Sequence, residues 1–361
     1  MRSEPRTTSD HNKLLDKRVT REFPKAELHR HLEGTFSLKT LHEIATKNRL
    51  GLPADFAEFK SRVQFPKDSE PDFLKFLSYF KNDWYRSLED VEQITYHSVK
   101  EFADDGLFYI EVRFSPEHFA YYNNFDRLEV TKLVVDAGKA AAEEIGCEVR
   151  YLITFNRMKQ DQYEMIELYR SLLSLELPEI VGIDLAGDEI NYPPELFTEF
   201  FATVNRDGVY RSTIHAGEVS GADQIWRSLK SLGASRIGHG TSIIHDPELQ
   251  QFVTEAGIVL EQCITSNFQT GSWVDERNHP LGHLYRSGVP VSINSDDPFI
   301  QDTDLTDDYI KAVEYFDLTT DDLVKLNETT LNGAFVSDVE RGRLIEEFHR
   351  RLKSFREKHD L

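Results

Sequence analysis

Eight short runs rich in β-branched, aromatic and aliphatic residues recur along the chain, and longer stretches of helical character separate them. The runs are Ala26–His31, Leu107–Phe114, Glu148–Phe155, Ile180–Leu185, Tyr210–His215, Arg236–His239, Ile258–Gln262 and Val289–Asn294. Several are nearly continuous in apolar residues, which is typical of strands buried on both faces. Strands that alternate with helices form βαβ units, and eight such units close into a barrel. The sequence therefore predicts an α/β fold, a single (β/α)8 TIM barrel.

The segments between the runs support this fold. Helical patterns cover Glu129–Ile145, Gln162–Leu173, Asp223–Leu232 and Pro247–Ala256. The connection after the first strand is the longest, and we interpret about residues 38–100 as an inserted helical cap near the barrel mouth, with most of its aromatic residues packed in the core. We predict a flexible N-terminal arm at residues 1–20, one domain at residues 21–361, and a charged, exposed helix at Asp338–Leu361.

Composition excludes several classes of protein. The formal net charge of −21 argues against nucleic acid and anionic membranes as partners, because both require clustered Lys and Arg. The two cysteines, Cys147 and Cys263, are too few for a disulfide framework or a cysteine-based zinc site. We find no secretory signal and no apolar run of membrane-spanning length. A cytoplasmic protein that acts on a small molecule is the expectation.

Polar side chains stand at the C-terminal ends of four predicted strands, where barrel enzymes build their active sites. The first strand ends at His29-Arg30-His31. Alternate residues of a strand point to the same side, so both imidazoles face one centre, as two ligands of one metal ion require. The other strand ends carry His215 and Glu218, then His239, then the pair Asp296 and Asp297.

Together these strand ends indicate a metal site. Two adjacent buried carboxyl groups are costly unless a cation or a proton neutralises them. Three histidines and a carboxylate form a suitable ligand set for zinc and leave one position open for water.

Five segments, in order along the chain, resemble the adenosine deaminase family. They are Pro24–Gly34 (PKAELHRHLEG), Gly182–Glu189 (GIDLAGDE), His215–Glu218 (HAGE), Arg236–Gly240 (RIGHG) and Ser295–Pro298 (SDDP). The resemblance spans about residues 24 to 298 and implies the same barrel fold. It also implies a hydrolase of C–N bonds in cyclic amidines, which deaminates an aminopurine nucleoside with one zinc ion per chain.

Residue roles follow from the resemblance. It implies that His29, His31, His215 and Asp296 bind zinc. Glu218 is similar to the proton donor to purine N1, and His239 is similar to the residue that orients and deprotonates the attacking water. Substrate contacts fall to His31, Glu33, Gly187 at N3 and Asp297 at N7, and Ser266 matches a supporting position beside the site. Glu218 must be protonated to act as the acid, which requires a pKa raised by burial or by neighbouring carboxylates.

Glu33 departs from the family pattern, because typical adenosine deaminases carry an Asp there that contacts the ribose 5′-hydroxyl. Glu33 reaches one methylene further, so the group beyond the ribose stays open. Adenosine or deoxyadenosine is the first expectation, aminodeoxyfutalosine of a menaquinone route the second, and adenine the third. Ile264 also departs from the family, where Pro is frequent, and we attach little meaning to it.

Competing classes fit less well. A two-metal hydrolase of the same barrel would often use a bridging Lys at the end of strand four, where this chain has Asp184-Leu185-Ala186-Gly187. The cytidine deaminase fold requires a Cys-x-x-Cys pattern that is missing. A non-enzymatic binding protein would be expected to lack one of the metal-ligand residues or the acid residue.

Six further histidines are expected to have ordinary packing or surface roles. They are His42, His97, His118, His245, His279 and His283. Of these, His279 and His283 are expected to lie away from the catalytic face.

Overall fold

Eight parallel strands form the centre of the structure, a computed structural model that describes residues 12–361. The strands are β1 (Lys25–His31), β2 (Leu107–Phe114), β3 (Glu148–Asn156), β4 (Ile180–Ala186), β5 (Arg211–Ala216), β6 (Arg236–His239), β7 (Leu260–Gln262) and β8 (Val291–Ile293). Each predicted run contains a strand, and the predicted ends differ from the observed ones by two residues at most. The near-continuous apolar runs are buried along almost their whole length, as expected for strands covered on both faces.

The strands pair in chain order, each parallel to the next. The ring is joined through a parallel bridge between Arg30 in β1 and Asp296 after β8. The amide N–H of His31 donates to the carbonyl of Asp296 over 2.9 Å, and that of Asp296 donates to the carbonyl of His29 over 3.1 Å. The predicted (β/α)8 barrel is confirmed, and residues predicted as metal ligands also join its first and last strands.

Helices surround the barrel. In chain order they span Lys17–Glu22, Leu38–Lys47, Phe56–Val63, Phe73–Leu77, Leu88–Lys100, Pro116–Ala120, Arg127–Ile145, Gln162–Leu173, Thr198–Asp207, Ala222–Lys230, Pro247–Ala256, Ile264–Gln269, Pro280–Arg286, Pro298–Gln301, Leu305–Phe316, Thr320–Gly333 and Asp338–His359. Local chemistry sets many of their starts. Asp161 and Glu164 form a reciprocal capping box, and Asp246 caps a helix that begins at Pro247.

Four of these helices lie between β1 and β2, within the stretch interpreted as a cap. Phe73, Phe76 and Phe80 line the cavity at the barrel mouth, and Phe76, Trp84 and Tyr85 are buried in the hydrophobic core. The cap residues therefore form a wall of the candidate site as well as a packing layer.

Both ends of the domain differ from the sequence-based expectation. Residues 1–11 of the predicted arm lie outside the described residues, but Leu14 is fully buried and Lys13 Nζ donates to the carbonyl of His359. The start of the described chain thus packs against the domain, with Lys13 at the end of the last helix. That helix is charged but not wholly exposed, because it buries Leu344 and three further apolar residues, Phe348, Leu352 and Phe355. Their spacing of three and four residues produces one apolar face.

Neither cysteine is paired, and both are buried. Over residues 12–361, no helix is long and apolar enough to span a membrane.

Candidate active site

Residues predicted to bind zinc meet at the C-terminal end of the barrel. Three of the predicted ligands, His29, His215 and Asp296, form a cluster with His239, which was predicted to act on the water, and their ligand atoms lie within 4.8 Å of one another. His31 joins them, with its Nε2 3.2 Å from Nε2 of His215 and 3.5 Å from Oδ1 of Asp296. The strand ends β1, β5, β6 and β8 therefore converge on one point, as predicted from the sequence.

Unpartnered atoms in this group fit a cation. Nε2 of His29 and Oδ1 of Asp296 lie 3.1 Å apart without hydrogen-bond geometry, and neither has another hydrogen-bond partner among the described residues. Both side chains are buried. Buried polar atoms rarely remain unpaired, and nitrogen and carboxylate donors are ligands that zinc accepts. The residues present thus fit a bound metal ion.

A second layer of carboxylates orients two of the imidazoles. Glu261 Oε2 lies 2.7 Å from Nδ1 of His29, and Asp184 Oδ1 lies 3.0 Å from Nδ1 of His215. A carboxylate can only accept, so each Nδ1 carries the proton and each Nε2 lone pair faces the cluster. Sequence reasoning missed both roles. The available signal was a charged residue inside an otherwise apolar strand, which requires a buried partner.

Glu261 is the hub of a buried ion network. Its carboxylate accepts from Arg113 Nη2 over 2.8 Å, from Arg236 Nε over 2.6 Å and from Thr213 Oγ1 over 2.9 Å, in addition to His29. Burial alone would raise the pKa of Glu261, but the two guanidinium groups hold that pKa well below its usual range. The group is therefore ionised and rigidly placed behind the cluster.

The acid candidate Glu218 sits in the loop after β5. The carboxylate of buried Glu189 holds this loop by accepting from the amides of Gly217 (2.8 Å), Val219 (2.6 Å) and Ser220 (3.0 Å). Thr241 Oγ1 donates to the carbonyl of Glu218 over 3.2 Å. Both ends of the loop are thereby fixed, and the positioning role of Glu189 was not predicted.

Burial and neighbouring charges favour the protonated form of the Glu218 carboxyl group. Burial raises its pKa well above the usual value, and the nearby charges of Asp296 and Glu189 raise it further. Its Oε2 lies 3.6 Å from Nε2 of His239. The expectation that the environment raises the pKa of this carboxyl group agrees with the structure.

A cavity of about 350 Å³ lies over the cluster. Most of the predicted site residues line it: His31, Glu33, Gly187, His215, Glu218, His239, Asp296 and Asp297. His29 is not in the lining and is fully buried behind it. His118, for which we expected an ordinary packing or surface role, also lines the cavity.

Glu33 has one engaged and one unengaged oxygen. Its Oε1 accepts from the amide of Ser115 over 2.7 Å, whereas Oε2 is buried with no hydrogen-bond partner among residues 12–361. Burial raises the pKa of Glu33 to about 7. One carboxyl oxygen is thus left for a polar group in the cavity.

Asp297 is held in a confined position. Burial and the adjacent Asp296 raise the pKa of its carboxyl group well above the usual range, which favours the protonated form, a hydrogen-bond donor. A Cβ atom added at Gly34 would lie 1.7 Å from its Oδ1. A side chain at position 34 is therefore incompatible with this placement of Asp297.

Two site residues are among the eight non-glycine residues with a positive φ in the described part of the chain. His239 and Asp296 have φ values of 58° and 63°, in the left-handed region that residues other than Gly rarely adopt. Gln262 Nε2 donates to the carbonyl of His239 and so helps to hold it. Strained residues of this kind persist only where surrounding contacts determine them, and they cluster at functional sites.

Near His239, one supporting residue was not predicted and one expectation is wrong. The side-chain contact to His239 Nδ1 comes from Asn267 at 3.0 Å, whereas Oγ of the neighbouring Ser266 has no partner among the described residues. His279, placed away from the catalytic face, is buried and lies 3.0 Å from Oδ1 of Asn267. Pro280 begins a helix that turns His279 inward, which the separation along the chain did not indicate. His283 is exposed, as expected.

The barrel and the residues at its mouth define the class of protein, a hydrolase built on the amidohydrolase barrel. An adenine deaminase from Arthrobacter aurescens superimposes with a TM-score of 0.83 at 25% identity, covering 91% of this chain and 99% of that one. An amidohydrolase from Burkholderia ambifaria, solved with bound zinc, has a TM-score of 0.86 at 20% identity over 99% and 97% of the two chains.

Sequence comparison narrows this class to one family. A family model described as adenosine deaminase matches residues 24–351. The adenosine deaminase of Pectobacterium atrosepticum is 36% identical over 337 residues, which is 92% of this chain and 98% of that protein. The chain belongs to the adenosine deaminase family. It is a hydrolase of C–N bonds, and its family and buried His/Asp group together point to a metal ion.

Proposed function

We propose that this protein deaminates adenosine or deoxyadenosine hydrolytically, giving inosine or deoxyinosine and ammonia. The observation that carries the proposal is a buried carboxyl group with a raised pKa, that of Glu218, beside a buried His/Asp cluster in one cavity. One zinc ion per chain would be held by His29, His31, His215 and Asp296. When bound, such an ion lowers the pKa of water and so supplies a nucleophile at neutral pH.

Glu218 and His239 carry out proton donation and water orientation in the proposed reaction. Glu218 donates its proton to N1 of the purine, which withdraws electron density from the ring as the water oxygen bonds to the carbon that bears the amine. His239 orients the water oxygen. The C–N bond then breaks and the carbon becomes a carbonyl. Of the two protons of the water, one converts the leaving amine into ammonia and the other restores the carboxyl group of Glu218.

We assign recognition of the purine ring to Asp297 and Gly187, which line the same cavity as Glu218. N7 of a purine has only a lone pair to offer, so it requires a donor. The raised pKa of Asp297 favours a protonated carboxyl group, which can serve as that donor. N3 likewise needs a donor, for which we propose the amide of Gly187. Gly187 has a φ of 101°, a conformation that favours glycine.

A nucleoside is favoured over free adenine by Glu33. Its unengaged Oε2 can accept from a ribose hydroxyl group, and adenine carries no such group. Leaving a buried carboxyl oxygen unpaired would weaken binding, so a substrate that satisfies it is discriminated from one that does not.

The test incubates the zinc-loaded protein with adenosine, deoxyadenosine, adenine and aminodeoxyfutalosine, and follows ammonia release and purine absorbance. Turnover of adenosine or deoxyadenosine is the expected result. Preference for adenine would reject the role assigned to Glu33. Turnover of aminodeoxyfutalosine alone would keep the reaction and change the substrate.

Metal removal should abolish turnover. Dialysis against a chelator is expected to give a protein that stays folded, melts at a lower temperature and has no deaminase activity, because bound metal stabilises the folded state. Adding one equivalent of zinc should restore both properties, as measured by elemental analysis, thermal melting and ammonia release. Full activity in metal-free protein would contradict the proposal.

Gly34→Ala should impair substrate binding. The new Cβ would overlap Asp297, and a shift of about 1 Å in a positioning group can reduce kcat/KM by about 10²-fold. Gly342→Ala is the matched control, since a Cβ there meets nothing within 4 Å and the residue lies in helix Asp338–His359. We expect the control to keep full activity and to gain about 0.5–1 kcal/mol of stability. Equal kinetics in the two variants would reject the role of Asp297.

A further inference from the structure

A chain of hydrogen bonds connects the helix Pro280–Arg286 with the candidate catalytic residue His239. His279 Nε2 lies 3.0 Å from Asn267 Oδ1, and Asn267 Nδ2 lies 3.0 Å from His239 Nδ1. All three side chains are buried, with exposed fractions of 2% or less. In such a chain of hydrogen bonds, a group at one end that can only donate determines which atom donates and which accepts at every later bond.

The far end of the chain has a known direction. The backbone N–H of Leu281 donates to Nδ1 of His279 over 3.2 Å, and an amide N–H can only donate. His279 is the N-cap of its helix, so this bond belongs to the helix start. Burial lowers the pKa of His279 to about 3, so the ring is neutral at physiological pH. Its single proton is therefore on Nε2.

Asn267 transmits this direction. Because His279 donates from Nε2, the side-chain oxygen of Asn267 must face His279, and the amide NH₂ group must face His239. That NH₂ group donates to Nδ1 of His239, which must then be unprotonated. An imidazole ring that accepts at Nδ1 carries its proton on the other ring nitrogen. The remaining place for its proton is Nε2.

We propose that Asn267 and His279 are positioning residues that fix the tautomer of His239, so that its Nε2 enters the cavity as an N–H donor. Nε2 lies 3.6 Å from Glu218 Oε2 and 3.8 Å from Asp296 Oδ2. The inference rests on the proposed deamination for its catalytic meaning.

The tautomer determines how His239 can act on water. A donor at Nε2 orients the water oxygen by hydrogen bonding to it. The same nitrogen has no lone pair with which to take a proton, so the deprotonating role implied by the family resemblance requires the opposite tautomer. The structure thus distinguishes two roles that the residue type alone leaves open.

The test is nitrogen NMR of zinc-loaded protein labelled with ¹⁵N-histidine. Signals of His239 are assigned by their loss in His239→Gln. The expected spectrum shows an unprotonated Nδ1 and a protonated Nε2 for His239. A proton on Nδ1 in the unsubstituted protein would overturn the proposal, whatever substrate the enzyme uses. The result does not depend on turnover, so failure of the proposed function remains a separate outcome.

Asn267→Asp reverses the direction of the chain without changing its size. A carboxylate accepts on both sides, so it would draw the proton of His239 to Nδ1 and leave a lone pair at Nε2. We expect the NMR pattern to invert and kcat to fall about 10- to 100-fold with little change in KM, as for residues that orient an active-site group. An unchanged pattern together with unchanged kcat would contradict the assignment.

His279→Leu tests the far end independently. Losing the donor frees the Asn267 amide to rotate, so both tautomers of His239 should be populated and kcat should fall less than in Asn267→Asp. His283→Gln, an exposed histidine of the same helix, is the control and should leave the spectrum of His239 and kcat unchanged. A single unaltered tautomer in His279→Leu would remove His279 from the proposal.

Discussion

Glu218→Gln should retain zinc and lose most of its turnover, with kcat/KM lower by about 10²- to 10⁴-fold. Glutamine has the size of glutamic acid and can donate a hydrogen bond, but it cannot transfer a proton to N1. The loop fixed by Glu189 and Thr241 is unchanged by the substitution, so positioning is preserved. The loss therefore measures proton donation alone.

The control for this prediction is Asp223→Asn, which removes an exposed carboxylate shortly after the same loop. We expect it to keep wild-type kcat/KM. Zinc content, measured by elemental analysis, should be the same in the wild-type protein and both variants. A Glu218→Gln variant with near-wild-type turnover would falsify the role of Glu218 as the acid.

Glu261→Gln should destabilise the protein by about 3–5 kcal/mol, because removing one partner leaves buried charges uncompensated. Arg113 and Arg236 both bond to this carboxylate, and an amide NH₂ group would face their N–H donors. Arg113 keeps a second partner in Asp184, and Arg236 keeps one in Glu111. We therefore expect a loss of stability near the lower end of this range. Urea unfolding of the metal-free protein measures the loss.

The same substitution should weaken metal binding by about 10- to 100-fold, because His29 loses the acceptor of its Nδ1 proton. Competition with a zinc chelator measures this effect. Glu195→Gln is the matched control: its pair with Arg227 has the same 2.6 Å distance as Glu261 with Arg236, but it is about half exposed. Exposed pairs contribute about 0–1 kcal/mol, so a loss in the control equal to that in Glu261→Gln would contradict the argument from burial.

The convergence of the candidate metal ligands and the candidate acid was predictable because it depends on local features. Strands buried on both faces have a recognisable composition, and the alternation of a strand places His29 and His31 on one side. The resemblance to a known family then added roles for Glu218, His239, Gly187 and Asp297. The structure brings these residues to one cavity, and their roles remain proposals that the variants above test.

The supporting residues were not predictable in the same way. Glu261, Asp184 and Glu189 act through partners on other strands and loops, and no spacing along the chain encodes such a pairing. His279 shows the limit most clearly, because a neighbouring proline suggested a loop away from the site. In the structure, that proline begins a helix whose capping histidine faces inward.

The sequence by itself thus determined the strand pattern, the barrel and the residues at the strand ends, because each follows from local periodicity and order along the chain. Only the tertiary structure decided which carboxylate orients which histidine and how burial shifts the pKa of each buried group. It also decided which donor begins the hydrogen-bond chain that ends at His239. These depend on distances between residues far apart in sequence and on burial, which together set the pKa and the donor or acceptor state of each group.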